Sequence, residues 1–258
     1  MSDAPLLDVS GLAKRYGDRV ACDEVGFALW PGEVLGIVGE SGSGKTTLLN
    51  TISGRAAPDS GTILFRSADG TVHNLAALPE TELRRLVRAE IGFVHQNPRD
   101  GLRLGVSAGA NIGEPIIAAG ARHYGSIRRA AAAWLERVEI EPARIDELPA
   151  TFSGGMQQRL QLARALVAEP RLVLMDEPTG GLDVSVQARL LDLLRRLVAE
   201  LGVAMVIVTH DLGVARLLAH RLMVMQRSRV VESGATDQVL DDPQHPYTQL
   251  LVSSVLAA

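Results

Sequence analysis

The chain has 258 residues, 47% of them hydrophobic and 22% charged, with a formal net charge of −4. This composition is that of a globular protein, large enough to bury a core without disulfides or metal. Its acidity argues against a nucleic-acid partner, because such proteins carry a basic excess.

Cys22 is the single cysteine, so no internal disulfide forms; it reads as a packed side chain in a reducing cytoplasm. Strongly apolar runs such as Val203–Val208 fall far below the roughly 20 residues of a spanning helix, so no direct membrane insertion is expected. Met1–Leu7 lacks the basic start and long apolar stretch of a secretory leader.

In chain order, the first thirty residues read as β-structure: Val25, Phe27 and Leu29 alternate with smaller residues until Pro31-Gly32. Val34-Leu35-Gly36-Ile37-Val38 is a buried-strand pattern running into a glycine-rich turn. A helix follows, with Leu48, Leu49 and Ile52 on one face and Gly54 as its stop. Thr62–Phe65 reads as another strand. From about Gln96 to Pro149 the chain becomes Ala-rich, with a helix over Ser126–Val138 and turns at Asn97-Pro98 and Glu141-Pro142. Next come a helix from Met156, a strand at Leu172–Met175, a long helix after Asp183, a strand at Val203–Val208 and further short strands. In the long helix, Leu190, Leu191, Leu194, Leu197, Val198 and Leu201 form a wide apolar stripe. Alternating strands and helices predict an α/β fold with a largely parallel core sheet.

Three motifs carry chemistry. Gly39-Glu40-Ser41-Gly42-Ser43-Gly44-Lys45-Thr46 fits the phosphate-loop pattern between a strand and a helix. Glycines let backbone N–H groups close around phosphate, and the helix start adds its positive dipole end. Lys45 supplies a charge for the β- and γ-phosphates, and the Thr46 hydroxyl is a Mg²⁺ ligand. Second, Leu172–Met175 ends in Asp176-Glu177. Asp176 suits direct or outer-sphere binding of Mg²⁺, and Glu177 suits polarising an attacking water. Third, Ser153-Gly154-Gly155 stands before a helix with Met156, Leu160, Ala163 and Val167 on one face, a second anion-grade helix start. Either a second ligand binds there, or a second copy brings this site to the first copy's nucleotide.

Together these motifs resemble the ATP-binding-cassette family over nearly the whole chain. The resemblance implies a phosphate-loop NTPase fold: a β-rich N-terminal subdomain, a nucleotide-binding core over about residues 1–95 and 165–258, and a helical subdomain over about 96–164. It implies ATP and Mg²⁺ as ligands. It implies that Tyr16 stacks on adenine, that Gly39, Ser41, Gly42, Ser43, Gly44, Lys45, Thr46 and Thr47 hold the phosphates, and that Thr46, Gln96 and Asp176 serve the metal. Glu177, Gln96 and His210 are the implied catalytic residues. Ser153, Gly154, Gly155 and Asp183 are implied to contact nucleotide and dimer partner across a homodimer, or across a pairing with a second cassette protein. Departures are Met156 where many members carry Gln, and Gly180-Gly181 where many carry Ser-Ala.

His245-Pro246-Tyr247-Thr248-Gln249-Leu250-Leu251 is similar to the tails of peptide and nickel importer ATPases. Asp100–Arg103, Val106–Gly109, Asn111–Glu114, Gly120–Gly125 and Thr179–Gln187 resemble ATP-binding proteins of bacterial carbon–phosphorus lyase systems, which break down phosphonates. That narrower resemblance implies an accessory ATPase partnered by a multisubunit lyase core; the alternative is an importer motor with a membrane permease. A nucleic-acid-acting cassette fits less well, since that class usually carries two cassettes and this chain has one phosphate loop. An iron–sulfur centre would belong to the core, because a cluster needs several thiolates. His95 and His123 accordingly read as hydrogen-bonded residues.

Overall fold

A computed structural model describes residues 4–256; residues 1–3, on which the leader reading partly rests, lie outside the described residues. Strands β1 (Leu7–Tyr16) and β2 (Arg19–Leu29) form a hairpin, and the alternation of Val25, Phe27 and Leu29 does turn one face inward, all three being buried. With β4 (Ser60–Arg66) and β5 (Val72–Asn74) they make an antiparallel sheet in the order β2-β1-β4-β5. Between them come β3 (Val34–Val38) and helix α1 (Lys45–Ile52).

The second sheet has the order β10-β9-β3-β8-β7-β6. Its members are β6 (Ile91–Val94), β7 (Leu172–Asp176), β8 (Ala204–Val208), β9 (Arg221–Gln226) and β10 (Arg229–Ala235). All neighbouring pairs are parallel except β9–β10, so the largely parallel reading holds. Every residue of β3, β7 and β8 is buried, as a parallel sheet covered on both faces requires. Alternate residues serve opposite cores: Leu172, Leu174 and Val206 face α1 and the antiparallel sheet, while Val173, Met175 and Ile207 face the helices.

Helix α2 (Glu80–Glu90) precedes β6, and four α-helices lie between β6 and β7: α3 (Pro98–Gly101), α4 (Ala108–Ala118), α5 (Tyr124–Arg137) and α6 (Gly154–Leu166), with short 3-10 turns at Pro142–Asp146 and Pro149–Thr151. The turn expected at Asn97-Pro98 is one helical turn, capped by the Asn97 side chain, which accepts from the Arg99 N–H. Helix α7 (Val184–Leu201) buries Leu190, Leu193, Leu194 and Leu197; Leu193 joins the stripe, while Leu191 sits at its half-buried margin. The chain ends with α8 (Leu212–Leu218), α9 (Thr236–Asp241) and α10 (Pro246–Leu256). No helix among the described residues is long and apolar enough to cross a membrane.

One buried amide ties the helices to the sheet. Gln161 of α6 is 1% exposed; its Oε1 accepts the His95 N–H at 2.7 Å and its Nε2 donates to the His95 carbonyl at 3.0 Å. The segment leaving β6 is thereby held at a fixed height above α6. Gln161→Met keeps the volume but strands the His95 N–H, at about 1–3 kcal/mol, and leaves the His95 carbonyl only its 3.5 Å contact with Gln158 Nε2. The melting temperature is expected to fall by roughly 5–10 °C; a thermal melt followed by circular dichroism that shows no change would mean this amide does not hold the segment.

Candidate functional site

The parallel strands β3, β8, β7 and β6 are neighbours, so the loops leaving their C-terminal ends stand side by side, where open α/β sheets bind ligands. Register fixes their order: Ile37 pairs with Val208, Val208 with Asp176, and Met175 with Val94. Consequently the phosphate loop after β3, Thr209-His210 after β8, Asp176-Glu177 after β7 and Gln96 after β6 share one edge.

Gly39 and Gly44 have φ of 147° and 104°, conformations that L side chains rarely adopt. A Cβ at Gly39 would collide with the Met225 carbonyl, and one at Gly44 with the Ala21 carbonyl. Lys45, 6% exposed, donates from Nζ to the Gly39 and Glu40 carbonyls, both at 2.7 Å. Burial pushes its pKa down, opposed by Glu177, Asp176 and Glu40. The Thr46 hydroxyl lies 3.1 Å from Asp176 Oδ1.

Asp176 is 7% exposed, and burial, assisted by Glu177, raises its pKa against the opposing pull of Thr46 and Lys45. Glu177 has a left-handed φ of 43°, its N–H donating to Val208 O at 2.8 Å. That turn swings its carboxylate out of the strand direction; Oε2 lies 3.1 Å from Gln96 Nε2 and 3.1 Å from His210 Nδ1. Strained backbone of this kind clusters at functional sites.

A cleft of about 800 Å³ is lined by Tyr16, Ser41, Gly42, Gly44, Lys45, Thr46, Thr47, Gln96, Glu177 and His210. Gly39, Ser43 and Asp176 stand behind that lining, packed against Met225, Lys45 and Thr46 respectively. Tyr16 is 52% exposed, with Lys14 Nζ 5.4 Å from its ring centre. Ser153, Gly154, Gly155 and Asp183 do not line this cleft. Ser153 caps α6, its side chain accepting the Met156 N–H, and Gly154 borders a separate hollow with Gln96, Gly180 and Leu182. Asp183 begins α7 beside Val184, which is 85% exposed.

Sequence reasoning missed Arg19 and Ala21, which line the cleft from β2; the only signal was their closeness to Tyr16. The histidines outside the cleft bond to protein groups: Arg55 Nη1 lies 2.9 Å from His95 Nε2, and His123 Nδ1 accepts the Ser126 N–H. Burial, with Arg55 beside it, lowers the His95 pKa to about 4. Burial raises the Cys22 thiol to about 11, as suits a packed side chain.

The family profile described as ABC transporter matches residues 22–180. The chain belongs to the ATP-binding-cassette family and is an ATPase. A second profile, described as the oligopeptide/dipeptide transporter C-terminal region, matches residues 231–258. Among relatives of this cassette ATPase, PhnK of Escherichia coli (strain K12), described as a putative phosphonates utilization ATP-binding protein, is 66% identical, covering 98% of each chain. A putative peptide import ATP-binding protein of Brucella melitensis biotype 1 is 40% identical over 99% of this chain and 79% of its own length. The cassette MJ0796, solved as a dimer in a post-hydrolysis state bound to ADP and Pi, superposes with a TM-score of 0.78 at 31% identity, over 89% of this chain and 98% of that one. CbiO1 of Clostridium perfringens, part of the ABC transporter complex cbiONQ, gives a TM-score of 0.80 at 29% identity, over 93% of this chain and 92% of that one.

Because the native state raises the Asp176 pKa, it takes up a proton before the unfolded chain does. The penalty of the buried carboxylate is therefore fully present at neutral pH and is relieved as the pH falls through the raised value. Asp176→Asn is expected to raise the melting temperature without nucleotide by about 2–4 °C, the response to roughly 1 kcal/mol. A lower melting temperature at pH 7 would mean that the Thr46 and Lys45 contacts outweigh burial.

Proposed function

We propose that this cassette ATPase serves phosphonate utilisation as an accessory subunit of a carbon–phosphorus lyase core, through an ATP-driven dimerisation cycle in the cytoplasm. The observation that carries the reading is the 66% identity to PhnK over 98% of both chains, against 40% to the peptide-import relative. In this reading residues 96–164 form the helical subdomain that meets the core, and the remainder holds the nucleotide.

The same reading assigns the roles at the cleft. Tyr16 stacks on the base, and the loop from Gly39 to Thr47 holds the phosphates, with the Lys45 charge at the β/γ end. Mg²⁺ fits the hard oxygen pair of the buried Asp176 carboxylate and Thr46 hydroxyl, with Gln96 within reach of the same edge. Held by these residues, Mg²⁺ would supply positive charge against the charge that develops on the phosphates during transfer. Glu177, turned outward by its left-handed backbone, orients the attacking water in line; Gln96 and His210 stand beside its carboxylate, and His210 holds the γ-phosphate. Phosphoryl transfer depends mainly on such positioning and electrostatics.

Ser153, Gly154, Gly155 and Asp183 act on the cleft of a second copy, or of a second cassette protein. Their placement outside this chain's own cleft supports that reading, as does the dimeric MJ0796 cassette. The C-terminal profile match favours one alternative, the motor of a peptide- or nickel-type importer.

Glu177→Gln is expected to lower ATP hydrolysis by about 10²–10⁴-fold while retaining ATP and driving dimer formation, seen by light scattering after gel filtration. Hydrolysis at the wild-type rate would remove Glu177 from its role. The same variant, tagged and recovered with ATP and Mg²⁺ from phosphonate-grown cells, should bring down lyase subunits. Recovery of a membrane permease instead would replace the accessory role with that of an importer motor.

A further inference from the structure

The C-terminal segment reaches the phosphate loop through one hydroxyl. Glu232 of β10 accepts the backbone N–H groups of Gln244 at 2.8 Å and His245 at 3.0 Å, which fixes the entry to α10. His245 Nδ1 accepts the Tyr247 N–H at 3.2 Å, and Pro246 at the first helical position has no N–H to satisfy. Tyr247 is thereby pointed inward. It is 6% exposed and packs in an apolar cluster with Val38, Leu212, Val224 and Leu240. Its hydroxyl accepts the Glu40 backbone N–H at 2.9 Å.

That N–H belongs to the peptide joining Gly39 to Glu40. The carbonyl of the same peptide, Gly39 O, accepts from Lys45 Nζ at 2.7 Å. One peptide plane is thus held at both ends, by the C-terminal tyrosine on one side and the loop lysine on the other. The turn between β9 and β10 grips the far arm of the loop, where the Ser228 N–H donates to the Ser43 carbonyl at 3.2 Å. Neither Tyr247 nor Ser228 lines the cleft, so neither touches the substrate's space.

We infer that Tyr247 is a positioning residue for ATP binding: its hydroxyl orients the Gly39–Glu40 peptide and so sets where the Lys45 ammonium stands. This rests on the phosphate role assigned to Lys45. The C-terminal segment then acts as a brace on the nucleotide site, and any partner that shifts α10 alters nucleotide affinity through this contact.

A double-mutant cycle on the full-length protein tests it, with ATP and Mg²⁺ titrated into the millimolar range. Tyr247→Phe removes one hydroxyl and keeps the ring in its apolar cluster. In the wild-type background it should weaken ATP binding about three- to tenfold, the loss of one hydrogen bond, and leave the melting temperature within about 3 °C. In a Lys45→Ala background the same change should do nothing further, because the tyrosine acts through the lysine. Equal weakening in both backgrounds would make Tyr247 a packing residue and overturn the inference, as would no weakening in the wild-type background. Unchanged affinity of Lys45→Ala alone would instead overturn the lysine assignment, and this inference with it.

Discussion

The cleft at the sheet edge depends on keeping an ammonium group almost out of water. Lys45 is nearly buried, and desolvation works against its charge. It stays acceptable because two carbonyls of its own loop accept its protons and because Asp176, Glu177 and Glu40 place negative charge around it. Those carbonyls can converge on one point only if the backbone turns through conformations that Gly39 and Gly44 allow, with Met225 and Ala21 occupying the space of any Cβ. The loop glycines, the strands that approach them and the two carboxylates are therefore parts of one electrostatic arrangement.

The same arrangement spreads its demands across the sheet. Asp176 carries a burial penalty that its neighbours do not cancel, as its raised pKa shows. A fold optimised only for stability would put a neutral residue there. Glu177 likewise sits in a backbone conformation unfavourable to a residue with a Cβ. Both costs fall at the C-terminal edge of the parallel strands, where β7 and β8 are wholly buried. The site concentrates strain and desolvation in a few residues, and the apolar layers on each face of the sheet stabilise the whole.

Much of this could be read from residue order. The phosphate loop, the apolar strand ending in Asp176-Glu177 and the stripe of α7 are local patterns whose spacing reports their structure directly. Strands β5 and β6 and helices α2 and α4 were harder. Helix α2 buries no residue fully, so its periodicity carries little core signal, and β6 is four residues long. What sequence could not give were contacts across long separations: Gln161 with the His95 backbone, Tyr247 with the Glu40 N–H, and Arg19 beside the glycine loop. Each is a single polar group meeting a backbone or a cleft, and no periodicity marks which buried glutamine or tyrosine will do so.

Gln161 and Tyr247 also show how the two ends of the chain's chemistry are coupled. The helix that opens with Ser153 holds, through Gln161, the segment from which Gln96 reaches Glu177. The last helix holds, through Tyr247, the loop from which Lys45 projects. A displacement of α6 is therefore transmitted toward the carboxylate that faces His210, and a displacement of α10 toward the lysine. Both links are one hydrogen-bonded group long and are made by buried side chains, so neither slackens without taking a backbone N–H from its partner. Under the proposed function, with partners on the helices and hydrolysis at the sheet edge, such short connections would give movement at the one a direct mechanical route to the other.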